Sequence, residues 1–209
     1  MQIAADEGCR DMTSALHRRR INTVVAELDR ADVKSVLDLG CGDGDLVLAL
    51  TALPRVRRIV GIDVSGEAVA VARRRVAEAG TGKDIEIVQA SLTEPAERLK
   101  GFDAAVLLEV IEHIDPHRLL GVELAVFETL APSIVIVTTP NSAYNPFLGV
   151  PPQRFRHPDH RFEWDRERFR AWADRVGQRN GYAVRYTDVP PGLPRLGGPS
   201  QMAVFKRTH

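Results

Sequence analysis

Net charge is what this sequence lacks most plainly: Lys and Arg number 28, and so do Asp and Glu. With no overall field to draw in a polyanion, any nucleic-acid contact must rest on a local basic surface or on a partner. Cysteine is nearly absent, with Cys9 and Cys41 only. That excludes a disulfide framework and a cysteine-based metal site, and it fits a reducing, cytoplasmic setting. Aromatics reach only 6%, so the core must be built from aliphatic side chains, as is ordinary in an α/β domain. No apolar run approaches membrane-spanning length, and the N-terminus mixes charges without an apolar signal core, so no membrane partner is expected.

What is present is enough chain for one well-packed domain, 209 residues, with a strong alternation of patterns. Residues 1–14 are weakly patterned and are expected to be a flexible N-terminus, leaving 15–209 as the domain. Leu16, Ile21, Val24, Val25 and Leu28 recur at roughly helical spacing. Apolar β-rich runs then predict strands at Ser35–Leu39, Arg58–Asp63, Ile85–Gln89, Ala104–Leu108 and Ile134–Thr138. Helical stretches lie between them, at Leu46–Leu50, Gly66–Ala79, about Glu94–Leu99 and about Pro116–Thr129. The nearly continuous apolarity of VLDL, IVGI and AAVLL suits strands covered on both faces. The order therefore predicts a doubly wound, mostly parallel sheet with helices on both faces. Residues 140–163, rich in Pro, Arg and His, read as a long functional loop. A helix at Arg166–Gln178 and strands at Ala183–Asp188 and Gln201–Lys206 bring the expected strand count to seven.

Asp38-Leu39-Gly40-Cys41-Gly42-Asp43-Gly44 follows the first strand directly. Gly40 and Gly42 would let the backbone approach a ligand closely. Asp63, ending the second strand, would accept hydrogen bonds from the ribose hydroxyls of an adenosine ligand. Nicotinamide enzymes share this logic, but their glycines are spaced to admit a pyrophosphate. With Asp38 two residues before the first glycine, the loop instead resembles motif I of class I methyltransferases, whose cofactor is S-adenosylmethionine. There the acid faces the methionine amino group, and Ser91, closing the third strand, becomes the candidate beside the adenine.

The fourth strand runs into Glu109-Val110-Ile111-Glu112-His113. On a helical turn Glu109, Glu112 and His113, at i, i+3 and i+4, share one face. Two carboxylates there repel, and a divalent cation removes that cost. A mixed carboxylate and imidazole set suits Mn²⁺, Fe²⁺ or Zn²⁺ better than Mg²⁺. A further ligand is offered by the loop, through His157 or His160. The competing reading is a solvated helix start beside an ordinary surface loop.

Taken together, LDLGCGDG, EVIEHID, VTTPNSAYNP and RHPDHRFEW resemble the methyltransferase domain of the Hen1 family of small-RNA 2′-O-methyltransferases, over roughly residues 15–207. The resemblance implies a class I, Rossmann-like methyltransferase fold. It also implies S-adenosylmethionine as methyl donor, and a divalent metal, usually manganese, with magnesium, cobalt or iron as alternatives. Glu109, Glu112, His113 and His160 become metal ligands and catalytic residues, with His160 rather than His157 fixed by the D-H-x-FEW motif. The implied substrate is the 2′-hydroxyl of the 3′-terminal nucleotide of RNA, in small-RNA silencing or RNA repair, with proteins of that machinery as partners. Plant members add RNA-binding domains and many bacterial members a second domain, neither of which lies within these residues. Rival expectations are an O-methyltransferase of a small vicinal diol or catechol, and a non-catalytic RNA-end binding module. For RNA, Arg154, Arg156, Arg161, Arg166, Arg168 and Arg170 form a local basic concentration. Tyr144, Phe155, Phe162 and Trp164 are candidate stacking residues, with Phe162 and Trp164 reading equally well as core anchors, and Thr139-Pro140-Asn141 is expected to line the pocket.

Overall fold

The computed structural model describes residues 2–94, 97–193 and 195–208. Seven strands form one sheet in the order β3-β2-β1-β4-β5-β7-β6. These are β1 (Ser35–Leu39), β2 (Arg58–Asp63), β3 (Asp84–Gln89), β4 (Ala104–Leu108), β5 (Ile134–Pro140), β6 (Tyr182–Val189) and β7 (Ser200–Arg207). The first five pair in parallel; β7 runs antiparallel between β5 and β6. The doubly wound, mostly parallel sheet expected from the sequence is therefore present, with its strand starts and ends within two residues.

Side chains alternate across each strand, and the sheet accordingly divides the interior into two cores. Val36, Ile59 and Val106 pack with Val24 and Leu28 of α1 (Gln2–Arg30), Val47 and Leu50 of α2 (Asp45–Leu50), and Val69 and Ala72 of α3 (Gly66–Ala79). Leu37, Val60 and Ala105 point the other way. They meet Leu119 and Val122 of α4 (Leu119–Glu123), Val126 and Phe127 of the π-helical turn that continues it, and Phe169, Trp172 and Val176 of α5 (Arg166–Asn180). The expected helix at Pro116–Thr129 is thus three pieces: a 3₁₀ turn over Pro116–Arg118, α4, and the π turn Leu124–Leu130. The short helix expected near Glu94 is a 3₁₀ turn at Glu97–Leu99; Pro95 and Ala96 lie outside the described residues. The first helix begins at Gln2 rather than near Ala15; the side chains of residues 1–14, expected to be flexible, are outside the described ones.

Strand order reverses direction between β1 and β4, which lie side by side. At such a switch point the loops leaving the strand ends diverge and open a crevice. Here they are the glycine loop after β1 and the Glu109–His113 segment after β4. The loop read from residues 140–163 begins while β5 is still paired, since Thr139 and Pro140 face Gln201 and Ser200 of β7. It then takes a 3₁₀ turn over Ser142–Leu148.

Packing between α5 and β6 is close enough to require glycine at position 177, where an added Cβ would stand 2.5 Å from Val184 Cγ2 and 2.8 Å from the Tyr182 carbonyl oxygen. Gly177→Ala should therefore lower the urea midpoint, by about 1–3 kcal/mol of stability, even though alanine is the better helix former. An unchanged or raised midpoint would show that α5 can shift freely against β6.

Candidate active site

Beyond Leu39 the chain turns through Gly40, Gly42 and Gly44, all at positive φ, which L side chains adopt at a cost. Gly40 is needed twice over, because a Cβ there would lie 2.6 Å from Val110 Cγ2 of the neighbouring segment. Its N–H and that of Cys41 donate to the Ile62 carbonyl at 2.7 and 2.9 Å, pinning the loop to β2. Asp63 accepts from Gly42 N through Oδ2 and from Ser65 N through Oδ1, each at 2.9 Å, so its carboxylate is held before any ligand arrives. Gly40, Asp63 and Ser91 line a cavity of about 630 Å³, together with Val64, Leu92, Thr93 and Val110. Ser91 Oγ lies 2.9 Å from Thr93 Oγ1. Asp38 and Gly42 stand outside that lining: Gly42 positions Asp63, and Asp38 is buried at the end of β1 with Oδ2 unpartnered.

A second cavity, of about 330 Å³, is lined by Glu109, Glu112, His113, His157 and His160, with Arg20 of α1, Pro140 and Arg156. Glu109 and His113 belong to both cavities. The sequence pattern placed Glu109, Glu112 and His113 on one face of a helical turn; the backbone is different. Glu109 has φ +56°, and only Ile111–His113 forms a 3₁₀ turn. Left-handed backbone at a non-glycine residue is strained and is typical of functional positions. Here it is held by the Glu109 N–H, which donates to the carbonyl and Oγ1 of Thr138. Glu112 is fully buried and accepts from Thr139 Oγ1 at 3.1 Å, while His113 is exposed. Glu109 pairs with Arg20 at 3.3 Å.

The loop is tied to this segment by Arg161 N, which donates to the Glu112 carbonyl at 2.7 Å. Its hub is Glu163, which accepts from His160 Nδ1 at 2.6 Å, Asn145 Nδ2 at 2.6 Å and Arg156 N at 2.7 Å. Burial alone would raise the Glu163 pKa, but those three hydrogen bonds carry it below the usual value. The ionised carboxylate can only accept, so His160 carries its proton on Nδ1 and leaves Nε2 free, the arrangement found around histidine ligands of metals. Partial burial of its ring, then the neighbouring His160 and His157, lowers the pKa of His113. Burial, then the charge of Glu109, drives the Glu112 pKa well above normal. Glu109 Oε1 and Glu112 Oε1 are both buried without a hydrogen-bond partner. Two orphaned carboxylate oxygens beside imidazole nitrogens are a donor set that could hold a divalent cation. The set whose donor atoms all lie within 4.8 Å of one another, among the described residues, is His113, His157 and His160; the carboxylates line the same cavity but stand outside it.

A family model described as a methyltransferase domain matches residues 36–133. The crystal structure of the methyltransferase domain of a bacterial Hen1, CtHen1-C, superposes with a TM-score of 0.82 at 39% identity, covering 93% of this chain and 100% of that one. The chain belongs to the Hen1 family of methyltransferase domains. The structure of a longer small RNA methyltransferase HEN1 matches this Hen1-family domain with a TM-score of 0.84 at 28% identity, over 92% of this chain and 25% of that one. A small RNA 2′-O-methyltransferase of Rattus norvegicus is 34% identical over 203 residues, 92% of this chain and 51% of the relative. The chain thus spans about half the length of that relative.

Several residues read as substrate contacts prove to be scaffold in this Hen1-family domain. Arg156 is consumed by the fold: its side chain donates to Asn145 Oδ1 and to the carbonyls of Pro199 and Asn141. Arg166 pairs with Asp188, and Arg170 lies over the Tyr186 ring. Phe162 is buried and stacks on Trp164 at 4.3 Å, so both anchor the loop to the core. Asn141 is fully buried and donates to the carbonyls of Leu196 and Gly198; of its neighbours, Pro140 lines the cavity and Thr139 orients Glu112. Residues that the sequence pattern did not single out include Arg20, Glu163, Val64 and Phe147. Only the conspicuous exposure of Val64 and Phe147, 66% and 59%, marks them, and exposure is invisible in sequence.

Burial, then the charge of Asp63, pushes the Asp38 carboxyl up to about 7 from an ordinary value of 3.8. A carboxyl raised on folding keeps its proton in the native state after the unfolded chain has lost it. Stability then falls as pH rises through that window, by about 1.4 kcal/mol for each pH unit within it. Asp38→Asn should therefore gain on the native chain between pH 5 and pH 8, by on the order of 2 kcal/mol. Urea midpoints at the two pH values measure it; an offset independent of pH would show that Asp38 does not titrate there.

Proposed function

We propose that this domain transfers the methyl group of S-adenosylmethionine to the 2′-hydroxyl of the 3′-terminal nucleotide of RNA, with a divalent cation, manganese first among the candidates, held by Glu109, Glu112, His113 and His160. The observation that carries the reading is the shared wall. The cavity lined by the methyltransferase loop shares Glu109 and His113 with the carboxylate and imidazole cavity. A methyl donor on one side and an acceptor hydroxyl on the other would meet across those two residues. The names of the small RNA 2′-O-methyltransferase relatives support the same substrate class.

Each residue has its own part of the work. Asp38 offers a buried negative charge to the amino group of the donor's methionine, and that ammonium offsets the desolvation which holds the carboxyl protonated. Asp63, oriented by Gly42 and Ser65, accepts from the ribose hydroxyls, and Ser91 sits along the edge of the same cavity. The cation supplies the positive charge that lowers the pKa of a ribose hydroxyl toward neutrality. Glu163 fixes the His160 ring, and Thr139 fixes Glu112. In the transfer the carbon–sulfur bond breaks as the carbon–oxygen bond forms in line, at a starting separation of about 3–3.5 Å. The hydroxyl proton leaves to solvent at the cavity mouth. The exposed Arg154, Arg161 and Arg168 remain for phosphates, and exposed Phe147 and Phe155, next in the chain to the cavity residues Leu148 and Arg156, for the terminal base.

Glu109→Ala and His160→Ala should each reduce methyl transfer to a short RNA at least ~100-fold, as expected for loss of transition-state charge stabilisation, while S-adenosylmethionine affinity by calorimetry stays nearly unchanged. Chelator should abolish labelling and Mn²⁺ restore it, on a 3′-terminal ribose but not on a terminal 2′-deoxynucleotide. Equal labelling of both ends would refute the assigned hydroxyl; labelling of catechol alone would favour a small-diol enzyme. RNA affinity should fall with a log–log salt slope of about −0.7 per contacted phosphate, and each of Arg154→Ala and Arg168→Ala should flatten that slope.

A further inference from the structure

Three imidazoles, rather than the two that the four-residue donor set uses, meet at the mouth of the second cavity. Their ring centroids are 4.8 Å apart for His113 and His160, 5.8 Å for His113 and His157, and 5.7 Å for His157 and His160. One donor atom from each lies within 4.8 Å of the others. We infer that His113, His157 and His160 form a second, overlapping cation site that takes a zinc-class ion on nitrogen alone.

A tetrahedral zinc with Zn–N bonds of about 2.0–2.1 Å brings its nitrogens to about 3.3 Å from one another. The three rings must close by up to about 1.5 Å to reach that. His160 is fixed by Glu163, so the movement falls to His157, whose side chain is 54% exposed on the loop. Its Nδ1 accepts from Asp159 N at 3.2 Å and lies 3.7 Å from Asp159 Oδ2. Binding through Nε2 moves the ring proton to Nδ1, so the bond from Asp159 N is given up and the Asp159 carboxylate becomes the acceptor in reach. This repeats, more loosely, the carboxylate–histidine support that Glu163 gives His160. The open fourth position is left to water.

The two donor sets differ in chemistry as well as in membership. Imidazole nitrogen suits zinc-class ions, and carboxylate oxygen suits manganese and magnesium. Glu109 is drawn to Arg20 and Glu112 to Thr139, so neither has to move for the three rings to close. Because His113 and His160 serve both sets, the two cations exclude each other. If the methyl transfer proposed above is correct, zinc-class ions are competitive inhibitors of the activating metal, and His157 sets their affinity.

The test compares zinc and manganese binding in the native chain, His157→Ala and Glu109→Gln. Zinc is titrated against a chromophoric chelator, and manganese by loss of the free-ion electron paramagnetic resonance signal. We expect His157→Ala to weaken zinc about tenfold or more while leaving manganese within twofold, and Glu109→Gln to do the reverse. Absence of zinc binding in the native chain overturns the inference. So does equal zinc affinity in His157→Ala, or a matching loss of manganese, which would make His157 part of a single site. If manganese fails to bind the native chain while zinc binds through His157, the nitrogen site stands and the cation assigned to methyl transfer does not.

Discussion

Two carboxylates are forced together at the end of β4, and much of the surrounding structure answers to that. Glu112 has no solvent exposure, Glu109 stands just before it in the chain, and each has a buried oxygen without a partner. Leaving charge in such a place is costly unless something opposite is brought near. Three elements converge to do so in part. α1 brings Arg20, β5 brings the Thr139 hydroxyl, and β7 brings Ser200 within 3.4 Å of Glu109 Oε2. The left-handed backbone at Glu109 is the local expense of aiming its side chain into the crevice rather than along the strand.

The loop between β5 and α5 is long yet firmly set. Glu163 gathers Asn145, Arg156 and His160, and Arg156 in turn grips the carbonyls of Pro199 and Asn141. Phe162 and Trp164 stack on one another and join the core that holds Trp172. A histidine carried on such a loop arrives already oriented, so binding does not have to order it. That is why a surface-like, charged stretch of sequence supplies scaffold with most of its side chains and function with only a few.

The fold was largely legible because period-two and period-3.6 patterns survive in one chain; β1, β2, β4 and α3 lie where the apolar runs put them. The glycine loop and Asp63 were legible as well, since their spacing reflects a backbone need that few other structures share. Less could be read where tertiary contacts override local pattern. The i, i+3, i+4 spacing of Glu109, Glu112 and His113 suggested a helical face, but the pairing of β4 with β5 continues to Thr138 and draws Glu109 N onto it. Arg156 and Arg166 read as free cations because their acceptors lie far off in sequence, and the convergence of His157 with His113 depends on the fold of the loop. Arg20 sits in an unremarkable basic run, and only its distance to Glu109 distinguishes it.

The shared wall between the two cavities ties their contents together. Each cavity has its own lining apart from Glu109 and His113. Under the proposed methyl transfer, a side chain changed at either of those two positions would be felt by donor and acceptor alike, whereas a change elsewhere in one lining would be felt by a single ligand.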